Sequence, residues 1–249
     1  MRTSGSPAKP PRARKSTVVK APPVAVDHRV RTGAARREAT KQKLLVAAVR
    51  VFAEKGIDSP LIDDFIAAAG VARGTFYNYF KTTNELLEAV SAELSDEVMA
   101  GIDARVQPIE QPIERIATGC LLYMHIAVTH PAWGTFIAHT STRGASGKLI
   151  DDYLPRDIAK ARDLGQARIT SVRAARDVVL GGLRHGIDSV VNGIAPPEHV
   201  REVLRMVLAA LGVREAMAKK LAAMPVPAVP LPPGIQALER AADGMPRTP

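Results

Sequence analysis

Apolar residues in this chain recur at helical spacing, and no stretch alternates with the two-residue period of a half-buried strand. Leu45, Ala48, Val49 and Phe52 stand at i, i+3, i+4 and i+7, which places them on one face of a helix. Ile62, Phe65, Ile66 and Ala69 repeat that spacing. The chain is therefore expected to be all-α. Gly56 supplies a stop for the first of these helices. Ser59-Pro60 is expected to open the second, with Ser as cap and Pro at the first helical position, where its missing N–H costs nothing. Gly70-Val71-Ala72 reads as a three-residue turn, followed by a short helix over 73–80. Thr82 with Glu85 three positions on forms a capping box for a fourth helix that runs to about Arg105. Beyond Pro108 and Pro112, helices are expected at about 112–129, 132–140, 148–165, 172–192 and 197–223. The last segment, 224–249, has seven prolines in 26 residues and reads as an extended tail with at most one helical turn near 235–242.

Charge is distributed unevenly. Twelve Lys and Arg lie in residues 1–43 against Asp27 and Glu38, a net +10 in a chain of 249 residues whose total is +9. The remainder thus carries −1, and the protein reads as a nearly neutral body with a basic arm. Residues 1–34 are rich in Pro, Ala, Lys and Arg, with too little apolar surface to offset chain entropy, and are expected to be disordered. Such an arm points to a polyanion. A signal peptide is not indicated, since the weakly apolar stretch 16–26 is broken by Lys20, Pro22 and Pro23. The uncharged run 116–142 is long enough to cross a bilayer, but it holds three His and Pro131, and reads instead as two buried helices meeting at His130-Pro131. A cytoplasmic location with no membrane partner is expected. One cysteine excludes a disulfide framework and a thiolate zinc cluster. The six histidines show no HxxxH or HExxH spacing, so no metal and no cofactor is expected. With no Glu-x-x-His pair, no phosphate-binding Gly loop and no nucleophile elbow, nothing points to an enzyme.

Two short helices joined by a tight Gly-containing turn form a helix-turn-helix, whose second helix enters the major groove while the first crosses the backbone. Phe76 and Phe80, four apart, should face inward onto Phe52 and Phe65. Arg73, Thr75, Asn78 and Tyr79 then point outward, with Tyr77 at the margin. That set suits DNA: Arg bonds guanine bidentately and Asn pairs with an adenine edge. Thr and Tyr hydroxyls donate to phosphates, and Gly74 leaves the backbone open to close approach.

Residues 44–90 resemble the DNA-binding domain of the TetR family of bacterial transcriptional regulators. The matching residues are Leu45, Ala48, Phe52 and Gly56, the run Ile62-Asp63-Asp64-Phe65-Ile66-Ala67-Ala68-Ala69-Gly70-Val71, then Gly74-Thr75-Phe76-Tyr77-Asn78-Tyr79-Phe80 and Glu85-Leu86-Leu87. The resemblance implies a homodimer that binds a palindromic operator in double-stranded DNA through an N-terminal three-helix domain. It also implies a C-terminal domain that dimerises and holds an inducer. It makes Thr75 and Tyr77 backbone contacts, Arg73, Gly74 and Asn78 readout positions, and Tyr79 a residue near phosphate. Lys81 and Ser59 complete the expected DNA-binding set. Two positions depart from the family's pattern. Thr83 stands where a phosphate-contacting Lys is frequent, and Pro60 where Thr is usual, which moves the cap to Ser59. The basic arm is expected to compensate by following the backbone or entering the minor groove.

The expected organisation is an arm over 1–34, the DNA-binding domain over 35–90, a helical effector-binding and dimerisation domain over 91–223, and the tail. In the third part, Cys120, Tyr123, Met124, His125, Trp133, Phe136 and His139 offer an apolar wall with polar handles for an unidentified small molecule, against the plainer reading of ordinary core. Val179, Leu183 and Ile187, with Val203, Val207 and Leu211, form two stripes that could pair across a two-fold axis or serve only the intrachain core. The expected function is sequence-specific transcriptional regulation, with repression relieved by an inducer. The alternative is a nonspecific architectural protein that binds DNA through its arm alone.

Overall fold

The computed structural model describes residues 28–139 and 149–243, and every regular element among them is helical. The helices are α1 (His28–Lys55), α2 (Ile62–Ala69), α3 (Arg73–Tyr77), α4 (Thr83–Val106), α5 (Pro112–Thr129) and α6 (Pro131–His139). A π-helical turn, Leu149–Tyr153, leads into α7 (Leu154–Asp163), followed by α8 (Val172–Val191), α9 (His199–Ala210), α10 (Glu215–Ala222) and α11 (Pro233–Asp243). Among the described residues, those from Thr40 onward form one compact unit, separate from the N-terminal stretch of α1 before it. The first helix begins at His28, so part of the expected disordered arm, 28–34, is helical, because Ala34, Ala35 and the following residues favour helix and extend it N-terminally. Residues 1–27 lie outside the described residues.

The expected apolar faces form the core. Leu44, Leu45, Ala48, Val51 and Phe52 of α1 are buried with Phe65 and Ala69 of α2, Phe76 of α3 and Leu86, Leu87 and Val90 of α4. Further along α4, Leu94, Val98, Ile102 and Val106 repeat every four residues and carry the core into the C-terminal helices. Helix α5 is apolar on most of its circumference, and Ile113, Ile116, Ala117, Leu121, Leu122, Met124 and Ala127 are all buried, as befits a central helix. It ends at Thr129, and Pro131 starts α6, so the run 116–142 is two helices as far as the described residues extend.

Two expectations fail in the C-terminal part. The helix expected over 197–223 is two helices. Gly212 adopts φ +72° and lies against the Arg168 backbone, whose N–H donates to Leu211 O at 2.8 Å; a Cβ there would stand 2.6 Å from Arg168 Cβ. The left-handed glycine closes α9, and the chain restarts at Glu215. The proline-rich end is not merely extended. After the extended stretch 225–232, α11 forms three turns, with Ile235 and Leu238 fully buried. Gly234 N–H donates to Glu97 of α4 at 3.0 Å, and Glu239 accepts from Trp133 N–H of α6 at 3.0 Å. Pro233 at the helix start misled the compositional reading, since Pro is well placed there.

Candidate functional site

The turn between α2 and α3 is set by Gly70. At φ +57° its N–H donates to Ala67 O at 3.2 Å, and Val71 N–H donates to Ile66 O at 3.2 Å, which closes the C-terminus of α2. Ala72 is extended, and its carbonyl accepts from Thr75 and Phe76 N–H to start α3. Helix α3 ends at Tyr77 rather than at 80, but Tyr79 and Phe80 N–H both bond to Phe76 O and keep the chain turning. Phe76 and Phe80 are buried as expected, with ring centroids 6.1 Å apart, while Phe52 packs on Phe65 at 4.9 Å.

Opposite these rings, Arg73, Gly74, Tyr77, Asn78 and Lys81 are exposed, and Thr75 and Tyr79 are half-buried. A Cβ on Gly74 would meet nothing within 4 Å, so the backbone there is open to a flat partner. Tyr77 stands edge-on to Phe76, 5.8 Å between centroids at 88°, which fixes its ring while 46 % of the residue faces solvent. Arg73 pairs through a very short contact with Asp63 of α2. Both side chains are exposed, so the pair adds little stability, and it orients the guanidinium beside the α3 surface. Asp63 was legible in sequence only as a carboxylate near a helix start.

Ser59 does not cap α2. The helix begins at Ile62 after Leu61, Ser59 is exposed and Pro60 is buried. The cap comes from inside the helix instead: Asp64 accepts from Leu61 N–H at 2.9 Å and from Lys55 Nζ at 2.7 Å. Those two donors, the Lys55 bond first, hold its carboxyl below the usual carboxylate range. Thr82 does cap α4, accepting from Glu85 N–H at 3.1 Å, and Glu85 reaches one residue further back than expected, to Lys81 N–H at 2.7 Å.

A cavity of about 130 Å³ opens between α4, α5, α7 and α8. Of the seven residues expected to line a pocket, Cys120 and Tyr123 do. Burial pushes the Cys120 thiol up to about 12 and the Tyr123 phenol also to about 12, the latter against an opposing hydrogen bond with Ser95. The other five lie elsewhere. Met124, Trp133 and Phe136 are buried in core, and Phe136 is placed edge-on to Phe52 at 5.6 Å and 88°. His125 is half-buried on α5, and burial, then Arg201 and His130, holds its pKa below the usual value. His139 is exposed, with Nδ1 2.9 Å from Thr135 O. The polar side of the cavity is one that the sequence reading missed. Ser91 and Ser95, one turn apart in the apolar stripe of α4, are both buried there, beside an ion pair at 3.0 Å between half-buried Arg115 and buried Asp157. Two serines inside a buried stripe were the available signal.

The residues expected at a dimer interface are largely used within one chain. Val179, Leu183, Ile187, Val207 and Leu211 are buried, and Val203 is half-buried. Glycines bring α8 and α9 together: a Cβ on Gly182 would stand 2.6 Å from Val207, and one on Gly186 3.0 Å from Val203. The same helices leave another face uncovered. Val178 is 46 % exposed and Met206 56 %, with His185 exposed and open space over Gly181.

Among the described residues, no cluster of three metal-ligating side chains occurs, and no helix is long and apolar enough to cross a membrane. Residues 44–90 match the family model for bacterial regulatory proteins, tetR family. The chain is 40 % identical over 65 residues to the uncharacterized HTH-type transcriptional regulator YvdT of Bacillus subtilis, covering 26 % of this chain and 34 % of that protein. It is 39 % identical over 62 residues to the HTH-type transcriptional regulator SrpR of Pseudomonas putida, covering 25 % and 29 %. The matches thus span about a third of the length of these relatives. Among solved structures, RolR in complex with resorcinol matches at 25 % identity and a TM-score of 0.66, over 79 % of this chain and all of RolR. The all-helical fold, with its N-terminal helix-turn-helix and C-terminal helical part, is that of TetR-family structures. YvdT and SrpR are both named HTH-type transcriptional regulators.

Proposed function

We propose that the chain, whose residues 44–90 match the family model for bacterial regulatory proteins, tetR family, is a homodimeric transcriptional repressor, released from its operator by a small molecule bound in the α4–α8 cavity. The observation that carries the reading is the two-sidedness of α3. Phe76 is fully buried, while Arg73 and Tyr77 on the same short helix and Asn78 at its end are exposed. A helical pair built only for packing has no use for that outward set, whereas the major groove accepts it. Arg73 reads a base, Tyr77 and Thr75 hold phosphates, and Gly74 allows close approach. On DNA, Arg73 leaves Asp63 for the base edge, and the cost of that exchange is small because both groups are exposed.

A two-fold operator needs a two-fold protein. The uncovered face around Val178, His185 and Met206 is the surface for the second copy, since Val179, Leu183 and Ile187 are already engaged. Domain limits follow: DNA binding to about residue 90, and effector binding and dimerisation beyond it. Release works if the effector favours a dimer whose recognition helices no longer match the half-site spacing. The ring contact between Phe52 of α1 and Phe136 of α6 supplies a physical connection, because α6 also reaches the cavity through Ile137. Support for a small-molecule effector comes from the solved structure of RolR in complex with resorcinol.

The test is fluorescence anisotropy with a labelled DNA selected for binding, against a scrambled duplex. Arg73→Ala is expected to cost about 1–3 kcal/mol and relax preference at one base pair. Tyr77→Ala, which removes a phosphate contact, should weaken binding to both duplexes. Equal binding of both duplexes by the unaltered protein would leave only the arm-driven alternative.

A further inference from the structure

Size, charge balance and one orphaned hydroxyl together restrict what the cavity accepts. Its volume of about 130 Å³ is close to that of an apolar cavity of ~150 Å³ that takes up benzene. It therefore has room for one ring. Four charged side chains line it, Glu88, Asp157, Arg115 and Arg184, two of each sign. Their groups are engaged with the protein. Arg115 bonds Asp157 and Ile109 O, Arg184 donates to Ala138 O at 3.1 Å, and Glu88 accepts from Asn84 at 3.4 Å. A ligand bearing net charge would unbalance a low-dielectric site that is neutral as it stands.

Most of the remaining wall is apolar, including Ile102, Ile116, Ile150, Leu154, Val179 and Leu183. The exception is the α4 side. Ser95 bonds with Tyr123, but Ser91, only 4 % exposed, has no hydrogen-bond partner for its Oγ. Thr118 on neighbouring α5 shows the usual resolution for such a group, since its hydroxyl donates to Glu114 O one turn back at 2.8 Å. Ser91 lacks this bond, and a buried hydroxyl left unpaired is costly. It has a donor and lone pairs to satisfy, and a ligand hydroxyl can meet both, whereas a carbonyl can only accept.

We propose that the cavity binds a neutral, single-ring molecule bearing a hydroxyl group, and that Ser91 Oγ is the residue that selects the hydroxyl. The inference rests on the reading of this cavity as the effector site, and it identifies the class of effector. The ring lies against the isoleucines and leucines, and its hydroxyl meets Ser91 on the α4 wall once the serine, whose Oγ is closed off from the cavity in the empty site, turns to another staggered rotamer. Occupancy then satisfies the orphaned group, so that hydroxyl-bearing rings are favoured over their methyl counterparts of the same size.

The test is calorimetric titration of the full chain with phenol, toluene and benzoate, repeated on Ser91→Ala and Gly119→Leu. Phenol should bind at least tenfold tighter than toluene, and benzoate should bind more weakly than either. Ser91→Ala should bring phenol down to the level of toluene and leave toluene unchanged. A Cβ at Gly119 meets only ordinary contacts, and the cavity lies beyond it, so Gly119→Leu is expected to fill that space and remove binding of all three, with thermal melting checking that the variant folds. Equal affinity for phenol and toluene in the unaltered protein, preference for benzoate, or no binding of any probe would overturn the proposal. Should Ser91→Ala fail to fold, the three-probe comparison and Gly119→Leu still decide it. The same preparations are assayed for retention of specific DNA. Specific DNA binding without phenol binding sinks the effector class alone, whereas phenol binding without specific DNA binding sinks the regulator reading.

Discussion

The edge-to-face contact between Phe52 and Phe136 makes a quantitative prediction about how the two parts of the molecule are joined. The rings lie 5.6 Å apart at 88°, and both residues are 2 % exposed. Such a pair is worth about 0.5–1.5 kcal/mol beyond the burial of its area. Replacing either ring by Leu keeps an apolar side chain in place and removes the ring contact. Phe52→Leu also loses the tilted contact with Phe65 at 4.9 Å, so its single-variant cost is the larger. A double-mutant cycle cancels that term, because the Phe65 contact is lost equally with and without Phe136. Urea denaturation of the unaltered protein, Phe52→Leu, Phe136→Leu and the double variant should return a coupling of about 0.5–1.5 kcal/mol. All four should also unfold in one transition if the ring pair joins a single cooperative body. A coupling of zero within ~0.3 kcal/mol would refute the claim that these rings connect the DNA-binding helices to α6.

Other perturbations follow from particular contacts. Gly134→Ala would drive a Cβ into the Ala127 carbonyl oxygen and to 2.7 Å from Val191; overpacking of this kind costs about 1–3 kcal/mol, so thermal melting should fall by several degrees. Asp64 contributes stability as a carboxylate, since its folded-state pKa is depressed. That contribution is complete above the unfolded-state value and fades as pH falls through the folded-state one. The melting difference between the unaltered protein and Asp64→Asn should accordingly be constant near neutrality and shrink towards pH 3. Cys120, with a thiol near 12 and no exposure to speak of, should resist iodoacetamide at pH 8 until denaturant is added. Ser91→Ala, which deletes an unpaired buried hydroxyl, should leave the melting temperature unchanged or raise it.

The DNA-binding part was the more legible because its signals are local. Gly70 at the turn, Thr82 at a cap and Phe52, Phe65, Phe76 and Phe80 at helical spacing each dictate structure within a few residues, and all act as expected. Ser59 misled because Ser-Pro is a sound start signal, yet Asp64 and Lys55 together satisfy the Leu61 end of α2 better than an exposed serine. The C-terminal part depends on which stripe meets which, and periodicity does not say that. Val179, Leu183 and Ile187 form a sound apolar face, but only Gly182 and Gly186 lying against Val207 and Val203 assign it to the same chain. Likewise Trp133 and Phe136 have the chemistry of a pocket wall and turn the other way, and Pro233 opens a buried three-turn helix in a segment whose composition suggested one turn within an extended tail.

The central claim is that α3 reads sequence as part of a two-fold protein. It is tested most directly by selecting genomic fragments with the purified chain at near-physiological salt, in parallel with Tyr77→Ala. The account predicts enrichment of a few fragments sharing an inverted repeat, with enrichment lost in the variant. Even recovery of all fragments, unchanged by Tyr77→Ala, would contradict it and assign binding to the basic arm.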